Sequence, residues 1–257
     1  MPQDAGGPIF VVGCQRSGTT VLRLMLDSHP EISCGPETRF LAGLSRITGE
    51  DWRRLSQYGF DKDYWHAQVA SFFDTIMSDY ARSRGKRRWA DKTPLYALSL
   101  DFLTQVFPTC QVIHVVRDGR DVVLSHRRRF GYGSALKAVV KWPRYVETAR
   151  ATGAVLPPER YREVRYEELV TDTEGTLRGL VDWLGEDWHD AVLHFNETQH
   201  DVPEKYQQLT AQRREKESTH AAVYGARVGA HRRELDPLLR SLAWLFDRQA
   251  LRALGYR

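Results

Sequence analysis

The stretch that most constrains this chain is IFVVGCQRSGTT, which runs from Ile9 to Thr20 near the start of the sequence. Four apolar residues lead into Gly13, a short polar loop contains Gly18, and an apolar pattern of helical spacing continues over 21–26. This order predicts a buried strand, a tight loop and an amphipathic helix. The loop N–H groups and the helix N-terminus then point at one place and attract an anion. The stretch therefore predicts a cradle for a phosphate-like group.

The loop differs from that of nucleotide-hydrolysing proteins at one position. Those proteins carry GxxxxGK[ST], in which the lysine reaches the β- and γ-phosphates. Here the spacing from Gly13 to Gly18 is kept, but Thr19 takes the place of the lysine and a cation, Arg16, precedes Ser17. The loop can hold a phosphate-like group without the residue that NTPases use on the transferred phosphate. The alternative is an ordinary strand, turn and helix with incidental glycines.

Composition and charge limit the classes of protein to which the chain can belong. At 257 residues, an α/β chain is commonly one domain, here 1–257. We expect no membrane span, because no run of about 18 apolar residues occurs, and no signal peptide, because the N-terminus lacks a charged and then apolar pattern. Three cysteines without CxxC spacing argue against disulfides and zinc, and indicate a cytoplasmic location. The net charge of +4 favours anionic ligands, but without a nucleic-acid-binding motif we expect no nucleic acid partner.

The rest of the chain alternates between strand, loop and helix patterns. Further strands are predicted over 87–91, 112–116 and 161–165, whereas 31–39 is predicted as a loop. Helices are predicted over 40–47, 64–80, 96–107, 173–184 and 234–254, and another ends at 127. The alternation predicts an α/β fold, a single P-loop-like domain in which a central parallel sheet is flanked by helices on both faces. We expect 40–85 to form a helical cap and 195–217 a surface loop or lid.

Ligands of an open parallel sheet bind where its strands end, so the loops after the predicted strands are the expected site. The polar groups in these loops are Arg16 to Thr20, Lys92-Thr93, Arg117 to Arg120, and Arg165-Tyr166. Arg117 ends a strand, and Ser125 lies about two helical turns into the next helix, so both can face one anion. The alternative is that the charged residues of 117–121 only form salt bridges around a helix start. The basic run 126–129 either attracts an acidic acceptor or is a solvated helix end.

These motifs resemble those of sulfotransferases that use 3′-phosphoadenosine-5′-phosphosulfate (PAPS). Arg16 to Thr20 resembles the 5′-phosphosulfate loop, often [KR]SGTT, and the Arg117 and Ser125 segment resembles the part that binds the 3′-phosphate. The runs RSGTT, LDSHP and CGPETR within 11–39, and later DKTP and YEEL, are similar to the tyrosylprotein sulfotransferase branch and its bacterial relatives. The resemblance covers most of the first 185 residues. A segment with Ser218 and Arg227 is distantly similar to the late cofactor loop of that family.

The resemblance implies a role for each matching residue. Glu37 matches the general base that takes the proton of the acceptor hydroxyl, and Lys92 matches the residue that neutralises charge on the oxygen bridging sulfate and phosphate. Sulfuryl transfer, like phosphoryl transfer, has a loose in-line transition state, so the protein mainly places groups and stabilises charge. The implied catalytic residues are Glu37, Lys92 and Arg16, and Arg39 is implied in substrate binding. The implied cofactor-binding residues are Arg16, Ser17, Gly18, Thr19, Thr20, Arg117, Ser125, Tyr166, Ser218 and Arg227.

Glu37 also has a simpler interpretation, as a carboxylate at the start of the predicted helix over 40–47 that interacts with the helix dipole. Partial burial would raise its pKa towards the range of a useful base, whereas the nearby Arg39 would lower it. In the tyrosylprotein branch the cysteine that matches Cys34 pairs with one at the position of Ala90, so that disulfide cannot form here. Cys34 is therefore expected to be a small buried residue or a free thiol.

The resemblance implies PAPS as donor and adenosine-3′,5′-bisphosphate (PAP) as product. It implies no metal, because a sulfuryl group carries less charge than a phosphoryl group and the sequence shows no evident carboxylate cluster for magnesium. The expected acceptor is a hydroxyl of a small molecule, a lipid or a glycan. Two other functions stay open: a small-molecule kinase on the same core, against which the missing loop lysine weighs, and a regulatory protein that binds a nucleotide without turnover.

Overall fold

A computed structural model describes residues 6–201 and 227–256 of this chain. Its strands are β1 (Ile9–Gly13), β2 (Ile32–Cys34), β3 (Arg88–Lys92), β4 (Gln111–Val116) and β5 (Tyr161–Arg165). They form one sheet in the order β2-β3-β1-β4-β5, in which each neighbouring pair is parallel. The α-helices in the described ranges are α1 (Thr19–Asp27), α2 (Leu41–Leu44), α3 (Trp52–Leu55), α4 (Lys62–Ser83), α5 (Leu100–Val106), α6 (Gly119–Phe130), α7 (Tyr132–Gly153), α8 (Tyr166–Thr171), α9 (Thr173–Leu184), α10 (His231–Glu234) and α11 (Pro237–Ala253).

Alternate residues of β1 enter two different hydrophobic cores, one on each face of the sheet. Phe10 and Val12 pack with residues of α4, α5, α7 and α11 on one face. Ile9 and Val11 pack with residues of α1, α8 and α9 on the other face. A parallel strand covered on both faces is a continuous apolar run, as IFVV is here. The predicted α/β fold, with a central parallel sheet and helices on both faces, is confirmed.

Three predicted elements are wrong in type or extent. Residues 31–39, predicted as a loop, contain β2, which has only three residues and is too short to show an alternating pattern. The predicted helix over 40–47 is reduced to α2, which has four residues. The predicted helix over 96–107 is divided between a 3-10 helix, Pro94–Leu98, and α5.

Helix α7 has no counterpart among the predicted elements, although it has 22 residues. Several of its buried positions are alanines, whose small side chains give little contrast with the polar face, and Pro143 lies inside the helix. Residues 40–85, predicted as a cap, contain α2, α3 and α4, and Phe73 of α4 shares a core with Phe10 of the sheet. Of the predicted lid over 195–217, residues 202–217 lie outside the described residues. None of the helices in the described ranges combines the length and the apolar character needed to cross a bilayer.

The buried carboxylate of Asp27, at the end of α1, connects distant parts of the chain. Its Oδ1 accepts a hydrogen bond of 2.9 Å from the N–H of Cys34, and its Oδ2 lies 2.6 Å from Nδ1 of His200. Lys86 Nζ lies 3.7 Å from Oδ1. Burial raises the pKa of Asp27, but these hydrogen bonds and the Lys86 charge outweigh it and leave the pKa below its usual value. Asp27 therefore holds the end of β2 and the segment around His200 together at the end of α1.

Asp27→Asn is expected to lower the free energy of unfolding by about 3 kcal/mol at pH 7, because it leaves the largely buried Lys86 ammonium group without its counter-charge. Since the folded state lowers the pKa of Asp27, the wild-type carboxylate contributes stability above its unfolded pKa of about 3.9 and loses it as pH falls through the folded value. Urea unfolding of both proteins between pH 7 and about pH 3 measures this difference, which should shrink with acidification.

The matched control for this prediction is Asp79→Asn. Asp79 pairs with Arg82 on an exposed face of α4, and exposed ion pairs contribute at most about 1 kcal/mol. Equal stability of Asp27→Asn and Asp79→Asn at pH 7 would contradict the role given to Asp27.

Candidate active site

The loop between β1 and α1 turns sharply at two residues. Gly18 has a φ of +100°, and a Cβ atom on it would lie 2.3 Å from Cδ2 of the Tyr166 ring. Only glycine fits there, because a side chain would have to displace a buried aromatic ring. Arg16 also has a positive φ, of +76°. Helix α1 begins at Thr19, so the first N–H groups of the helix, which have no partner within it, face this loop.

Two polar atoms at this loop are buried and have no hydrogen-bond partner among residues 6–201 and 227–256: Ser17 Oγ and Arg117 Nε. Buried polar groups are normally paired, so an unpaired hydroxyl and an unpaired guanidinium N–H fit a ligand rich in acceptor oxygens. Thr19 is buried beside Ser17, whereas Thr20 is exposed. The residues of this loop thus fit the phosphate-like group that the sequence predicts.

Arg117 joins the loop after β4 to three other segments. Its Nη1 donates to the carbonyl oxygen of Arg16 at 3.2 Å, and its Nη2 donates to that of Arg227 at 3.0 Å. Its guanidinium carbon lies 4.3 Å from the centre of the Tyr166 ring, within the range of a cation–π contact. Arg117, Tyr166 and Arg227, which are far apart in sequence, therefore meet beside Arg16.

A cavity of about 270 Å³ opens next to this meeting point. Its lining residues are Arg16, Arg117, Asp121, Leu124, Ser125, Arg128, Arg129, Arg227 and Ala230. Arg16 Nε donates to Ser125 Oγ at 3.1 Å, so the loop after β1 and helix α6 are in contact. The cationic lining suits an anion, and the predicted pair Arg117 and Ser125 both face it.

Arg128 and Arg129 were not among the predicted site residues, yet both line this cavity. They lie three and four residues after Ser125 on α6, which puts them on the same face of the helix. This spacing from Ser125 is the sequence pattern from which both arginines could have been predicted as site residues. Both are exposed in the last turn of α6, as the solvated-helix-end interpretation expects, and Arg128 also pairs with the half-exposed Glu234.

The charged residues of 117–121 also form salt bridges around the start of α6, as the alternative interpretation of this segment expects. Arg120 pairs with Asp118 at 2.7 Å. Asp121 lies 3.9 Å from Arg117 and accepts hydrogen bonds from the N–H groups of Gly229 and His231, both at 2.8 Å. Asp121 thus fastens residues 229–231 to α6 beside the cavity, a contact that sequence reasoning missed.

Glu37 and Lys92 form the second part of the site. Lys92, at the end of β3, is buried, and its Nζ lies 2.6 Å from Oε1 of Glu37. Arg39 binds the other oxygen, Oε2, through Nε at 2.9 Å and Nη2 at 2.7 Å. Burial raises the pKa of Glu37, but Lys92 and Arg39 outweigh it and hold the pKa below its usual value. Glu37 is therefore ionised at neutral pH, and the effect of the cations, not that of burial, decides its pKa, which makes it a weaker base than an isolated glutamate.

The register of the sheet explains why these two residues meet. Cys34 in β2 lies opposite Ala90 in β3, so Glu37 and Lys92 follow these partners by three and two residues at the same edge of the sheet. The interpretation of Glu37 as a helix-start carboxylate is wrong, because α2 begins only at Leu41 and both carboxylate oxygens contact Lys92 or Arg39. Cys34 is a buried free thiol.

The structure thus brings the predicted site residues to one edge of the sheet, with a single exception. Ser218 lies outside the described residues. The binding and catalytic roles given to the other residues stay predictions. In the described parts of the chain, no group of three or more His, Cys, Asp or Glu side chains is placed to hold a metal ion, and the expectation of a metal-free reaction stays a prediction as well.

Comparison with known proteins gives matches over most of the chain. The family described as "Sulfotransferase family" matches residues 8–190. Protein-tyrosine sulfotransferase 1 of Danio rerio is 32% identical over 201 residues, which are 74% of this chain and 56% of that protein. The chain spans about half the length of the curated relatives it matches.

Solved structures match the whole fold. The sulfotransferase domain from the Synechococcus PCC 7002 olefin synthase is 25% identical, with 96% of this chain and 97% of that domain covered and a TM-score of 0.64. Mouse sulfotransferase SULT7A1, solved in complex with PAP, shares the fold at 16% identity, 97% and 88% coverage and a TM-score of 0.55. The family match over 8–190 includes the phosphate loop, Glu37, Lys92 and the Arg117 segment. This chain belongs to the sulfotransferase family.

Proposed function

We propose that this chain transfers a sulfuryl group from PAPS to a hydroxyl group of an acceptor, with Glu37 as the general base. The observation that carries the proposal is the contact of 2.6 Å between Glu37 and Lys92 at the same sheet edge as the phosphate loop. A carboxylate that accepts a proton and an ammonium group that neutralises a leaving oxygen are the two groups that this reaction requires.

The donor is held by the two regions built around Arg16. The loop residues Ser17 to Thr20 bind the 5′ end through backbone N–H groups and hydroxyls. The helix N-terminus favours an anion, and so does the Ser17 hydroxyl, which has no hydrogen-bond partner in the described parts of the chain. The cationic cavity with Arg117 and Ser125 takes the 3′-phosphate. PAPS supplies a sulfuryl group on a good leaving group, the phosphate of PAP. The bound PAP in a structure of this fold supports the choice of nucleotide.

Glu37 takes the proton of the acceptor hydroxyl while the bond from the acceptor oxygen to sulfur forms and the bond from sulfur to the bridging oxygen breaks. Lys92 neutralises the charge that grows on the bridging oxygen, and Arg16 contributes positive charge beside it. Arg39 keeps the Glu37 carboxylate oriented and faces the acceptor side with its exposed guanidinium. No step requires a carboxylate cluster or a metal ion.

The acceptor is proposed to be a hydroxyl of a small molecule, a lipid or a glycan. Phe40 and Phe72 support this class, because their exposed rings lie near each other beside the loop that carries Glu37 and offer apolar or stacking contacts. Relatives named as protein-tyrosine sulfotransferases make a tyrosine the other hydroxyl to test. Both acceptor classes can be tested by incubating the protein with ³⁵S-labelled PAPS and one of four acceptors: a phenol, a long-chain alcohol, an oligosaccharide or a tyrosine peptide. Labelling of the peptide alone would overturn the proposed class.

Nucleotide binding separates this proposal from the kinase alternative. Isothermal titration is expected to give a clear preference for PAP over ATP, and equal or reversed affinity would refute the proposal. A regulatory protein would bind PAP but transfer label to none of the four acceptors. We also propose a cytoplasmic location, supported by the buried free thiols of Cys14, Cys34 and Cys110, which cell fractionation would test.

Ser125→Ala is expected to lower the affinity for PAP about tenfold, because it removes a hydrogen bond to a charged phosphate. Its affinity for adenosine 5′-monophosphate, which has no 3′-phosphate, should not change. Titration of both nucleotides into wild type, Ser125→Ala and the surface control Ser71→Ala measures the difference. An equal loss for both nucleotides would place Ser125 outside the 3′-phosphate site.

A further inference from the structure

Thr38 lies between Glu37 and Arg39 but contacts a different set of residues. Its Oγ1 hydrogen-bonds to the carboxylate of Asp91 and lies 2.7 Å from Oη of Tyr96. Both Asp91 and Tyr96 are buried. The loop over 35–40 is therefore fixed to the protein interior by the residue next to Glu37.

The hydroxyl groups of this cluster can be arranged so that their hydrogen bonds end on Asp91. The N–H of Leu41 donates to Tyr96 Oη at 3.2 Å, so the Tyr96 hydroxyl is free to donate to Thr38 Oγ1. Thr38 in turn donates to Oδ2 of Asp91, and Thr93 donates to Oδ1 at 2.7 Å. In this arrangement both Asp91 oxygens act as acceptors, as in a carboxylate, whereas a protonated Asp91 would bring a further donor into the cluster.

Asp91 thereby joins the two loops that carry the proposed catalytic groups. Thr38 adjoins Glu37 in the loop after β2, and Thr93 adjoins Lys92 at the end of β3. The neighbours of both members of the Glu37–Lys92 pair are thus bound to the two oxygens of one carboxylate. A shift of either loop would have to break one of these buried hydrogen bonds.

The backbone beside Glu37 needs such a restraint. Arg39 has a φ of +64°, and the N–H of Phe40 donates to the carbonyl oxygen of Thr38 at 2.8 Å across it. A non-glycine residue in the left-handed region is strained, and persists only when its surroundings fix it. Because of this turn, the Arg39 guanidinium lies against the Glu37 carboxylate and donates to it.

We infer that Asp91 is a positioning residue for sulfuryl transfer, which through Thr38 and Thr93 holds Glu37 against Lys92 in the geometry that takes the acceptor proton. The inference rests on the proposed function, because it gives Asp91 a role only if Glu37 is the base. Asp91 itself contacts neither Glu37 nor Lys92 through the hydrogen bonds described, so its influence passes through Thr38 and Thr93. Its loss should reduce kcat and leave nucleotide affinity unchanged.

The titration of Asp91 gives a readout that a purely structural role would not. Burial raises the pKa of Asp91 to about 6, although the Thr38 and Thr93 hydroxyls and the Lys92 charge oppose this and the Glu37 charge adds to it. Protonation adds a donor to a cluster that needs an acceptor, so wild-type kcat should fall as pH drops through about 6. Glu37 does not produce this fall, because its own pKa is lowered.

The experiment compares Thr38→Val, which has the same shape but no hydroxyl, with Thr38→Ser, which keeps the hydroxyl. The measurements are kcat against pH with ³⁵S-labelled PAPS and whichever of the four acceptors above is sulfated fastest, together with PAP affinity and melting temperature. Thr38→Val should lower kcat about 10- to 100-fold, because small misplacements of a reacting group are costly, with PAP affinity unchanged. In this variant the fall of kcat at acid pH should occur at a higher pH than in the wild type. The reason is that the Asp91 carboxylate loses the hydrogen bond from Thr38, which lowers its pKa. Thr38→Ser should stay within about twofold of wild type.

Glu37→Gln distinguishes failure of this inference from failure of the proposed function. If Thr38 acts through Glu37, the double variant Glu37→Gln/Thr38→Val should be no slower than Glu37→Gln alone. Wild-type kcat in Thr38→Val, with Glu37→Gln inactive, overturns the inference and leaves the proposed function standing. Full activity of Glu37→Gln overturns both. Should Thr38→Val not fold, a wild-type profile without an acid limb near pH 6 overturns the inference by itself.

Discussion

Glu37→Gln is expected to abolish sulfuryl transfer, with kcat reduced about 10²- to 10⁴-fold, the range of a general base. The glutamine amide has nearly the same shape and its oxygen can still accept a hydrogen bond from Lys92, but it cannot take a proton. PAP affinity should stay nearly unchanged, because Glu37 contacts Lys92 and Arg39 and is not among the residues that line the cationic cavity. Steady-state kinetics and isothermal titration of PAP on the same preparation measure the two quantities.

Glu50→Gln is the matched control, since Glu50 is exposed, lies on the same part of the chain and pairs only weakly with Arg46 at the surface. It should retain wild-type kcat. If Glu37→Gln loses PAP affinity to the same extent as kcat, its effect is on folding or binding, and the assignment of Glu37 as the base is contradicted.

The parts of this site that could be predicted from the sequence are those built from contiguous residues. The phosphate loop depends on a strand, two glycines and a helix start within 9–26, and the structure places them as the spacing predicts. Arg117 and Ser125 are likewise close in sequence, since Arg117 follows β4 directly and Ser125 lies in the helix that begins two residues later. Local rules are sufficient in such cases because neighbouring residues share one element.

Contacts between distant residues could not be derived in that way. Asp121 binds the backbone at residues 229 and 231, and Asp27 contacts His200, across more than a hundred residues in each case. Nothing in the local pattern around either aspartate indicates its partner, because the partner is chosen by packing of whole elements. The same holds for Thr38 and Asp91, whose contact depends on the short strand β2 pairing with β3.

The missed strand β2 shows how a small error in secondary structure affects the interpretation of a site. With 31–39 as a loop before a helix, Glu37 is read most simply as a helix-start carboxylate. With β2 in the sheet, its loop leaves the same edge as the loops after β1, β3 and β4, and Glu37 faces Lys92. The chemical environment of Glu37 is thus set by three residues, Ile32–Cys34, that carry no functional group of the site.

Lys92→Met should lower kcat about 10²- to 10³-fold, because it removes the charge that stabilises the leaving oxygen at a buried position. Methionine fills a similar volume, so folding should be retained, and Lys137→Met on the exposed face of α7 is the matched control. The measurement is kcat and kcat/KM from pH 4 to 9, with PAP affinity alongside, since Lys92 also acts on the base.

The pH profile of Lys92→Met separates the two effects of the lysine. In the wild type, burial raises the pKa of Glu37, and the charge and hydrogen bond of Lys92 contribute most to bringing it below its usual value. Without Lys92, burial of Glu37 is opposed only by Arg39, so the pKa of Glu37 should rise. The pKa of Asp91, which the Lys92 charge also lowers, should rise as well, and the residual activity should need a higher pH to develop fully. A variant that is slower at every pH but whose kcat falls at the same acid pH as that of the wild type would show that Lys92 sets the ionisation of neither Glu37 nor Asp91. A variant with wild-type kcat would remove Lys92 from the reaction, and the Glu37–Lys92 contact could no longer carry the proposed function.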